Sequence, residues 1–254
     1  MLILCVLSFL ALDGVRHAQA AERLEAKGAA QDTWVYRMGH APADKPFGFE
    51  VNSKQRAWAQ SMIAFPTRME LPLMTMDAAL VRDVARMGPE ALVLLECRGL
   101  APPVMRELCA QHSLRKIEFL LTDVSAEGLN LLWTTQPDLE RMSITGTVPG
   151  EDGFRDIRHA RKLRLLFLKG KGIDDRVIAR LREAPALETL VLDDALLTEE
   201  SAPVLAAMPA LRRLTFSTRN PEISAYRIAA RVHELNPAVR AFGNGPSPLN
   251  PIHR

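Results

Sequence analysis

Apolar residues recur along the chain in the pattern L-x-x-L-x-L. The clearest copies are Leu163/Leu166/Leu168, Leu187/Leu190/Leu192 and Leu211/Leu214/Phe216. Earlier copies are Arg68/Leu71/Leu73, Leu92/Leu95/Cys97, Leu114/Ile117/Phe119 and Leu139/Met142/Ile144. The middle positions of successive copies lie about 24 residues apart, a spacing that is typical of stacked structural repeats.

Within each unit the apolar period changes from that of a strand to that of a helix. Leu190 and Leu192 alternate with Val191, which predicts a strand with the leucines facing inward and Val191 facing outward. Val177, Ile178 and Leu181 follow at helical spacing in the preceding unit. Each unit is therefore predicted to contain a strand, a turn and a short helix.

Several predicted boundaries depend on helix capping and proline. Proline disfavours a helical residue before it, so helices are expected to end near Pro137, Pro185 and Pro209. Ser201 is expected to cap the N-terminus of a helix that has Pro203 in its first turn. Residues 77–87 are predicted to form the helix of the first, degenerate unit, and residues 145–153 a looser loop.

One unit of this size cannot bury a core alone, so neighbouring units must stack. The predicted fold is an α/β solenoid of six to seven units, with parallel strands on one face and short helices on the other. These units resemble leucine-rich repeats of the ribonuclease-inhibitor-like kind, especially the short bacterial versions, over about residues 68–242. That family usually places an asparagine three residues after the last apolar strand position. The chain instead has Leu100, Thr122, Thr147, Lys171, Ala195 and Arg219 at these positions.

The segments outside the repeat differ from it in local composition. The apolar run from Leu2 to Leu12, followed by Ala18-Gln19-Ala20, predicts a signal peptide over residues 1–20 and a periplasmic or secreted protein, with a buried N-terminal helix as the alternative. Residues 21–67 are expected to form an irregular N-terminal cap that includes a helix from Ser53 to Ala64. Residues 243–254 are expected to form a flexible tail.

Composition excludes several classes of protein and leaves the partner open. The chain has 254 residues, of which 48% are hydrophobic and 24% charged, with a net charge of +2. These values argue against a disordered chain, a multi-span membrane protein and a strongly basic nucleic-acid binder. After signal cleavage Cys97 and Cys109 remain, and two buried free thiols are favoured over a disulfide.

No arrangement of residues typical of catalysis was found. Metalloprotease, nucleophile-elbow and phosphate-loop motifs are absent from the sequence, and His40, His112, His159 and His233 fall in different units. The acidic pairs at 174–175 and 193–194 are interpreted as helix-cap and turn residues rather than paired catalytic carboxylates. The sequence thus predicts no catalytic residue, cofactor or metal site.

The outward side of the strands is the predicted functional surface. Its candidate protein-binding residues are Lys116, Glu118, Arg141, Leu165, Phe167, Lys169, Val191 and Arg213, with Ser143, Thr189 and Asp193 between them. Arginine and aromatic residues often anchor protein recognition. The leading prediction is a non-catalytic protein-binding module. It is expected not to bind nucleic acid and, in its mature form, not to span a membrane. The alternatives are an enzyme that uses Trp34, His40 and Asp44, and a purely structural envelope component.

Overall fold

The computed structural model shows an α/β architecture in which a strand–helix unit repeats. It describes residues 16, 19–20, 22–24, 26–27, 35–36, 67–110, 114–221 and 223–244. The predicted helix at 53–64, the candidate enzyme residues Trp34, His40 and Asp44, and His112 all lie outside the described residues.

In the part of the chain that the structure describes, nine strands form one open sheet in the order of the chain. Strands β2 to β9 are parallel, and β1 is antiparallel to β2. The strands are β1 Val35–Tyr36, β2 Thr67–Pro72, β3 Ala91–Leu95, β4 Lys116–Leu120, β5 Arg141–Thr147, β6 Leu165–Lys171, β7 Thr189–Ala195, β8 Arg213–Thr218 and β9 Arg240–Asn244. Strand β9 pairs with β8 and extends two residues into the segment predicted to be a tail.

A helical segment connects each pair of neighbouring parallel strands. The helices are α1 Ala78–Met87, α2 Pro102–Cys109, α3 Ala126–Thr135, α4 Asp175–Leu181, α5 Ser201–Ala206 and α6 Ala225–Leu235. Between β5 and β6 two 3-10 turns, Glu151–Phe154 and Ile157–His159, replace the helix. Trp133 of α3 stacks on Phe154 with ring centroids 6.1 Å apart, so α3 packs on these turns.

The core lies between the sheet and the helices. Leu166, Leu190 and Leu214 occupy aligned positions on β6, β7 and β8, which confirms the predicted repeat in this region. Two inward rows cross the sheet, and every member of them is at most 1% exposed. The rows are Met69, Leu92, Ile117, Met142, Leu166, Leu190, Leu214 and Leu71, Leu94, Phe119, Ile144, Leu168, Leu192, Phe216.

The predicted register is wrong in the first two units. Leu92 and Leu94 face inward on β3, whereas Leu95 is 36% exposed and Cys97 lies in the turn after the strand. On β2 the inward pair is Met69 and Leu71, not Leu71 and Leu73. Because β3 is apolar at all five positions, the spacing of leucines alone does not fix its register. As a consequence Cys97, and not Leu100, lies three residues after the last inward position.

Local capping explains where several helices begin and end. Asp77 accepts a hydrogen bond from the Leu80 amide at 2.7 Å, and Gly88 ends α1 in the left-handed conformation. The prediction for Ser201 is wrong by one residue, because Ser201 is the first residue of α5 and follows Glu200. Its hydroxyl instead donates to the Asp175 carboxylate.

From β2 to β7 a positive φ recurs at one position, at or just after the end of each strand. This position lies two residues after the second inward residue and is occupied by Leu73, Glu96, Leu121, Gly146, Gly170 and Asp194. At Gly170, with φ of 119°, an added Cβ would lie 2.0 Å from the Gly146 carbonyl oxygen. Only glycine therefore fits at this position of β6.

The described N-terminal residues pack against α1. Ala20 and Leu24 are fully buried in the core, and the Arg23 guanidinium donates to both oxygens of Asp83, at 2.7 and 2.5 Å. Ala20 and Leu24 thus belong to the folded core, whereas the apolar run from Leu2 to Leu12 lies outside the described residues. Cleavage after Ala20 would remove its methyl group from that core.

Both remaining cysteines are buried and free, which confirms the favoured prediction for them. Cys97 Sγ donates to the Leu71 carbonyl oxygen at 3.0 Å. Burial raises the pKa of Cys109 to about 11 and also raises the pKa of Cys97. Both thiols therefore remain protonated near neutral pH.

Candidate functional site

The outward face of the parallel sheet, called here the sheet face, presents three rows of side chains. The first row is Arg68, Ala91, Lys116, Arg141, Leu165, Thr189, Arg213 and Arg240. The second row is Glu70, Val93, Glu118, Ser143, Phe167, Val191, Thr215 and Phe242. The third row is Pro72, Leu95, Leu120, Thr145, Lys169 and Asp193.

All eight candidate residues lie on the sheet face. Lys116, Arg141, Leu165 and Arg213 belong to the first row. Glu118, Phe167 and Val191 belong to the second row, and Lys169 belongs to the third. The alternation of inward and outward residues on the strands is sufficient to place them, since β4 to β8 have the predicted register.

The apolar residues at the centre of the face are half-buried. Phe167 is paired in register with Val191, and Leu165 precedes Phe167 by two positions on the same strand. Phe242, at the end of the second row, is 56% exposed and was missed from the sequence. Its strand has the small residues Ala241 and Gly243 at the inward positions, so the leucine pattern does not reveal it.

In the first strands of the face the charged side chains pair with one another. Lys116 Nζ lies 2.5 Å from Glu118 Oε1 on β4, and Arg68 forms an ion pair with Glu70 on β2. In both pairs the partners are two residues apart and point to the same side of the sheet. The positive charges of Lys116 and Arg68 are therefore each balanced by a glutamate of the same strand.

A second kind of charge pairing links neighbouring strands on the third row. Lys169 Nζ lies 2.9 Å from Asp193 Oδ2, and the Ser217 hydroxyl donates to Asp193 Oδ1 at 2.6 Å. The hydroxyl and the ammonium group together lower the pKa of Asp193, and the carboxylate raises the pKa of Lys169. Both groups are therefore charged at neutral pH.

Three arginines of the first row lack such compensation. Arg141, Arg213 and Arg240 are exposed, and none has a carboxylate partner among the residues that the structure describes. Arg240 was not predicted, because β9 was not recognised as a strand of the repeat. The face thus carries uncompensated positive charge beside its apolar centre.

The residues just before the first row behave differently and form what we call the edge row. It consists of Glu90, Arg115, Glu140, Arg164, Glu188 and Arg212, which alternate in sign from strand to strand. Arg115 lies 3.5 Å from Glu140, and Arg164 lies 3.8 Å from Glu188. Opposite charges therefore lie next to each other along the edge row, and these two neighbouring pairs are close enough to form ion pairs.

The acidic pairs considered in the sequence have structural partners. Asp174 accepts from the amides of Arg176 and Val177 at the start of α4, and Asp175 accepts from the Thr198 hydroxyl at 2.7 Å. Asp194 lies 3.2 Å from Arg219. In the described part of the chain, no group of three or more His, Cys, Asp or Glu side chains is placed to hold a metal ion.

A shallow groove lies on the helix side of the described residues. It runs between α5 and α6 and is lined by Glu199, Pro203, Arg227, Arg231 and Leu235. Arg227 forms an ion pair with Glu199 across the groove.

The helices in the described part of the chain are too short or too polar to span a membrane. No protein-family model matches the chain, and no curated protein matches it significantly.

Proposed function

We propose that the repeated units form a leucine-rich-repeat solenoid of the ribonuclease-inhibitor-like kind. Two residues at the position three after the second inward residue support this proposal. Cys97 donates to the Leu71 carbonyl, and the Thr122 hydroxyl donates to the Leu94 carbonyl at 2.9 Å while accepting from the Cys97 amide at 2.9 Å. Such repeats place asparagine or cysteine there, bonded to the backbone of the adjacent turn.

The solenoid is a non-catalytic module that binds another protein on its sheet face. The observation that carries this proposal is the juxtaposition of Leu165, Phe167 and Val191 with the uncompensated Arg141 and Arg213. Eight parallel strands spaced about 4.8 Å apart give a face roughly 34 Å across. A surface of that width suits a protein epitope better than a small molecule, which binds in a concave pocket.

We place this module in the periplasm or outside the cell. The support for export is the apolar run from Leu2 to Leu12 and the small residues Ala18 and Ala20 that follow it. A partner of the module is then another protein of that compartment.

The test is affinity capture with three forms of the full chain. Phe167→Asp places a carboxylate at the centre of the apolar patch, and Leu235→Asp is the matched control, since Leu235 is 44% exposed on α6 at the opposite side. We expect a partner protein to be retained by the wild type and by Leu235→Asp and to be lost with Phe167→Asp, as measured by mass spectrometry. Thermal unfolding should show that both variants remain folded.

Retention of the same proteins by all three forms would contradict binding through the sheet face. A Phe167→Asp variant that does not fold would show that Phe167 contributes to the core, which its half-buried position does not predict. In that case Phe167→Ser tests the surface with a smaller perturbation.

A further inference from the structure

The basic residues of the first row occur as like-charged neighbours. Lys116 is paired in register with Arg141, and Arg213 with Arg240. Like charges directly opposite each other on neighbouring strands destabilise a sheet. Lys116 is compensated by Glu118, whereas Arg141, Arg213 and Arg240 have no carboxylate partner among the described residues.

The edge row supplies a control within the same molecule. It lies one residue away along the same strands, and its charges alternate in sign across six consecutive units. The two rows share the same strand spacing, so the repeat itself does not impose like-charged neighbours. The uncompensated arginines are thus a property of the first row, which belongs to the candidate binding surface.

The space between the arginines is apolar or neutral. Leu165 and Thr189 separate Arg141 from Arg213 in the first row, and Phe167 and Val191 lie beside them in the second. Three strand spacings separate Arg141 from Arg213, which corresponds to about 14 Å. The face therefore presents two positive positions at this separation on either side of an apolar patch.

Building on the proposed function, we propose that the partner presents an acidic segment to this part of the face. Its matching features are two carboxylates about 14 Å apart with an apolar side chain between them. In an extended segment, residues four apart are separated by about 14 Å and point to the same side, as does the residue midway between them. The motif Glu-x-Leu-x-Glu in an extended segment meets these requirements.

A protein segment fits this face better than a nucleic acid does. Glu118 and Asp193 share the face with the arginines, and the net charge of the whole chain is only +2. A nucleic-acid surface instead gains affinity from many phosphate contacts along a basic groove. Alternating acidic and apolar groups complement both features of the face.

The test uses the full chain and labelled peptides with the central sequence Glu-Ser-Leu-Ser-Glu in neutral flanks. A matched peptide has glutamine in place of both glutamates. By fluorescence anisotropy at low salt we expect the acidic peptide to bind about tenfold more tightly, and the difference to shrink at about 0.5 M salt. The double variant Arg141→Gln/Arg213→Gln should lose this preference, and Arg182→Gln, an exposed arginine at the end of α4, should retain it.

The possible failures are distinguishable from failure of the proposed function. Equal binding of both peptides that disappears in Phe167→Ser would overturn the acidic partner while retaining the sheet face as a binding surface. Tighter binding of a thymidine oligonucleotide than of the acidic peptide would overturn it in favour of nucleic acid. If neither peptide binds, this inference fails, and the capture experiment alone decides the proposed function.

Discussion

In β2 to β4 the basic residues Arg68 and Lys116 each pair with a glutamate of the same strand, whereas in β5 to β9 Arg141, Arg213 and Arg240 have no acidic partner in the described part of the chain. We call these two regions the N-terminal half and the C-terminal half of the sheet. The repeat is the same in both, so the difference lies in the side chains that each half presents outward.

Apolar exposure differs less sharply between the two halves. In the N-terminal half Leu73 is 73% exposed and Leu121 is 62% exposed at the turns, and Leu95 of β3 is 36% exposed on the sheet face. The equivalent turn positions of β5 and β6 are Gly146 and Gly170, and the C-terminal half exposes Leu196 after β7 and Phe242 on β9. The comparison teaches that only the C-terminal half combines apolar and uncompensated basic residues on the sheet face.

The largest expected effect tests whether neighbouring residues of β6 face opposite sides. Leu166 is fully buried and Leu165 lies half-buried on the sheet face. Leu166→Ala should lower the free energy of unfolding by about 3 kcal/mol, because it leaves a cavity in the core. Leu165→Ala should lower the free energy of unfolding by less than about 1 kcal/mol, since the half-buried Leu165 side chain keeps less apolar surface away from water. Urea unfolding of both variants measures the difference, and similar losses would contradict the register of β6.

A smaller effect tests whether the glycine turns of the C-terminal half are obligatory. In Gly170→Ala the new Cβ would lie 2.0 Å from the Gly146 carbonyl oxygen, so the backbone must shift. We expect a loss of about 2 kcal/mol in the free energy of unfolding. Gly150→Ala is the control, because its positive φ is similarly unfavourable but no atom lies within 4 Å of the added Cβ.

The control variant should lose only about 1 kcal/mol, since Gly150, with φ of 68° and ψ of −165°, lies in a backbone region that favours glycine, and this strain is partly offset by a less flexible unfolded chain. Urea midpoints that fall equally in Gly170→Ala and Gly150→Ala would show that steric contact does not distinguish the two turns. The position in β5 and β6 would then require glycine no more strictly than the same position in the N-terminal half, where leucine occurs.

The sequence predicted the central strands β4 to β8 better than the strands at either end of the sheet. In β4, β5 and β8 the inward residues alternate with polar ones, so the period of two fixes the register; in the more apolar β6 and β7 the spacing of about 24 residues from their neighbours fixes it. In β3 all five residues are apolar, and only pairing with β4 selects Leu92 and Leu94 as the inward residues. In β9 the inward position holds Gly243, where an added Cβ would lie 2.4 Å from the backbone of α6. The close approach of α6 is a tertiary effect that no leucine pattern reports.

The candidate site was predicted only in part for a related reason. Alternation placed Phe167, Val191 and Arg213 on the outward face, because that requires only the strand period. Which charges are compensated depends on distances between side chains, as in the contacts of Lys116 with Glu118 and of Lys169 with Asp193. Those distances follow from rotamers and from the neighbouring strand, neither of which the spacing of residues specifies.

The smallest expected effect concerns Asp193, the acidic residue that keeps the C-terminal half from being wholly basic. The Ser217 hydroxyl donates to its carboxylate and lowers its pKa, with Lys169 adding to the effect. A lowered pKa in the folded state contributes stability above the ordinary aspartate pKa, and this contribution is lost as the pH falls through the pKa of the folded state.

Ser217→Ala should raise the pKa of Asp193 in a carboxyl NMR titration. The variant should be less stable by about 0.3 kcal/mol at pH 6, since the carboxylate is half-exposed, and part of that deficit should disappear near pH 3. The remainder reflects the lost hydrogen bond from the Asp194 amide to the hydroxyl, which is 2.8 Å long and independent of pH. Thr215→Ala, on the same strand but without a bond to Asp193, is the control. An Asp193 titration that is identical in wild type and Ser217→Ala would show that Lys169 alone sets the charge of this position.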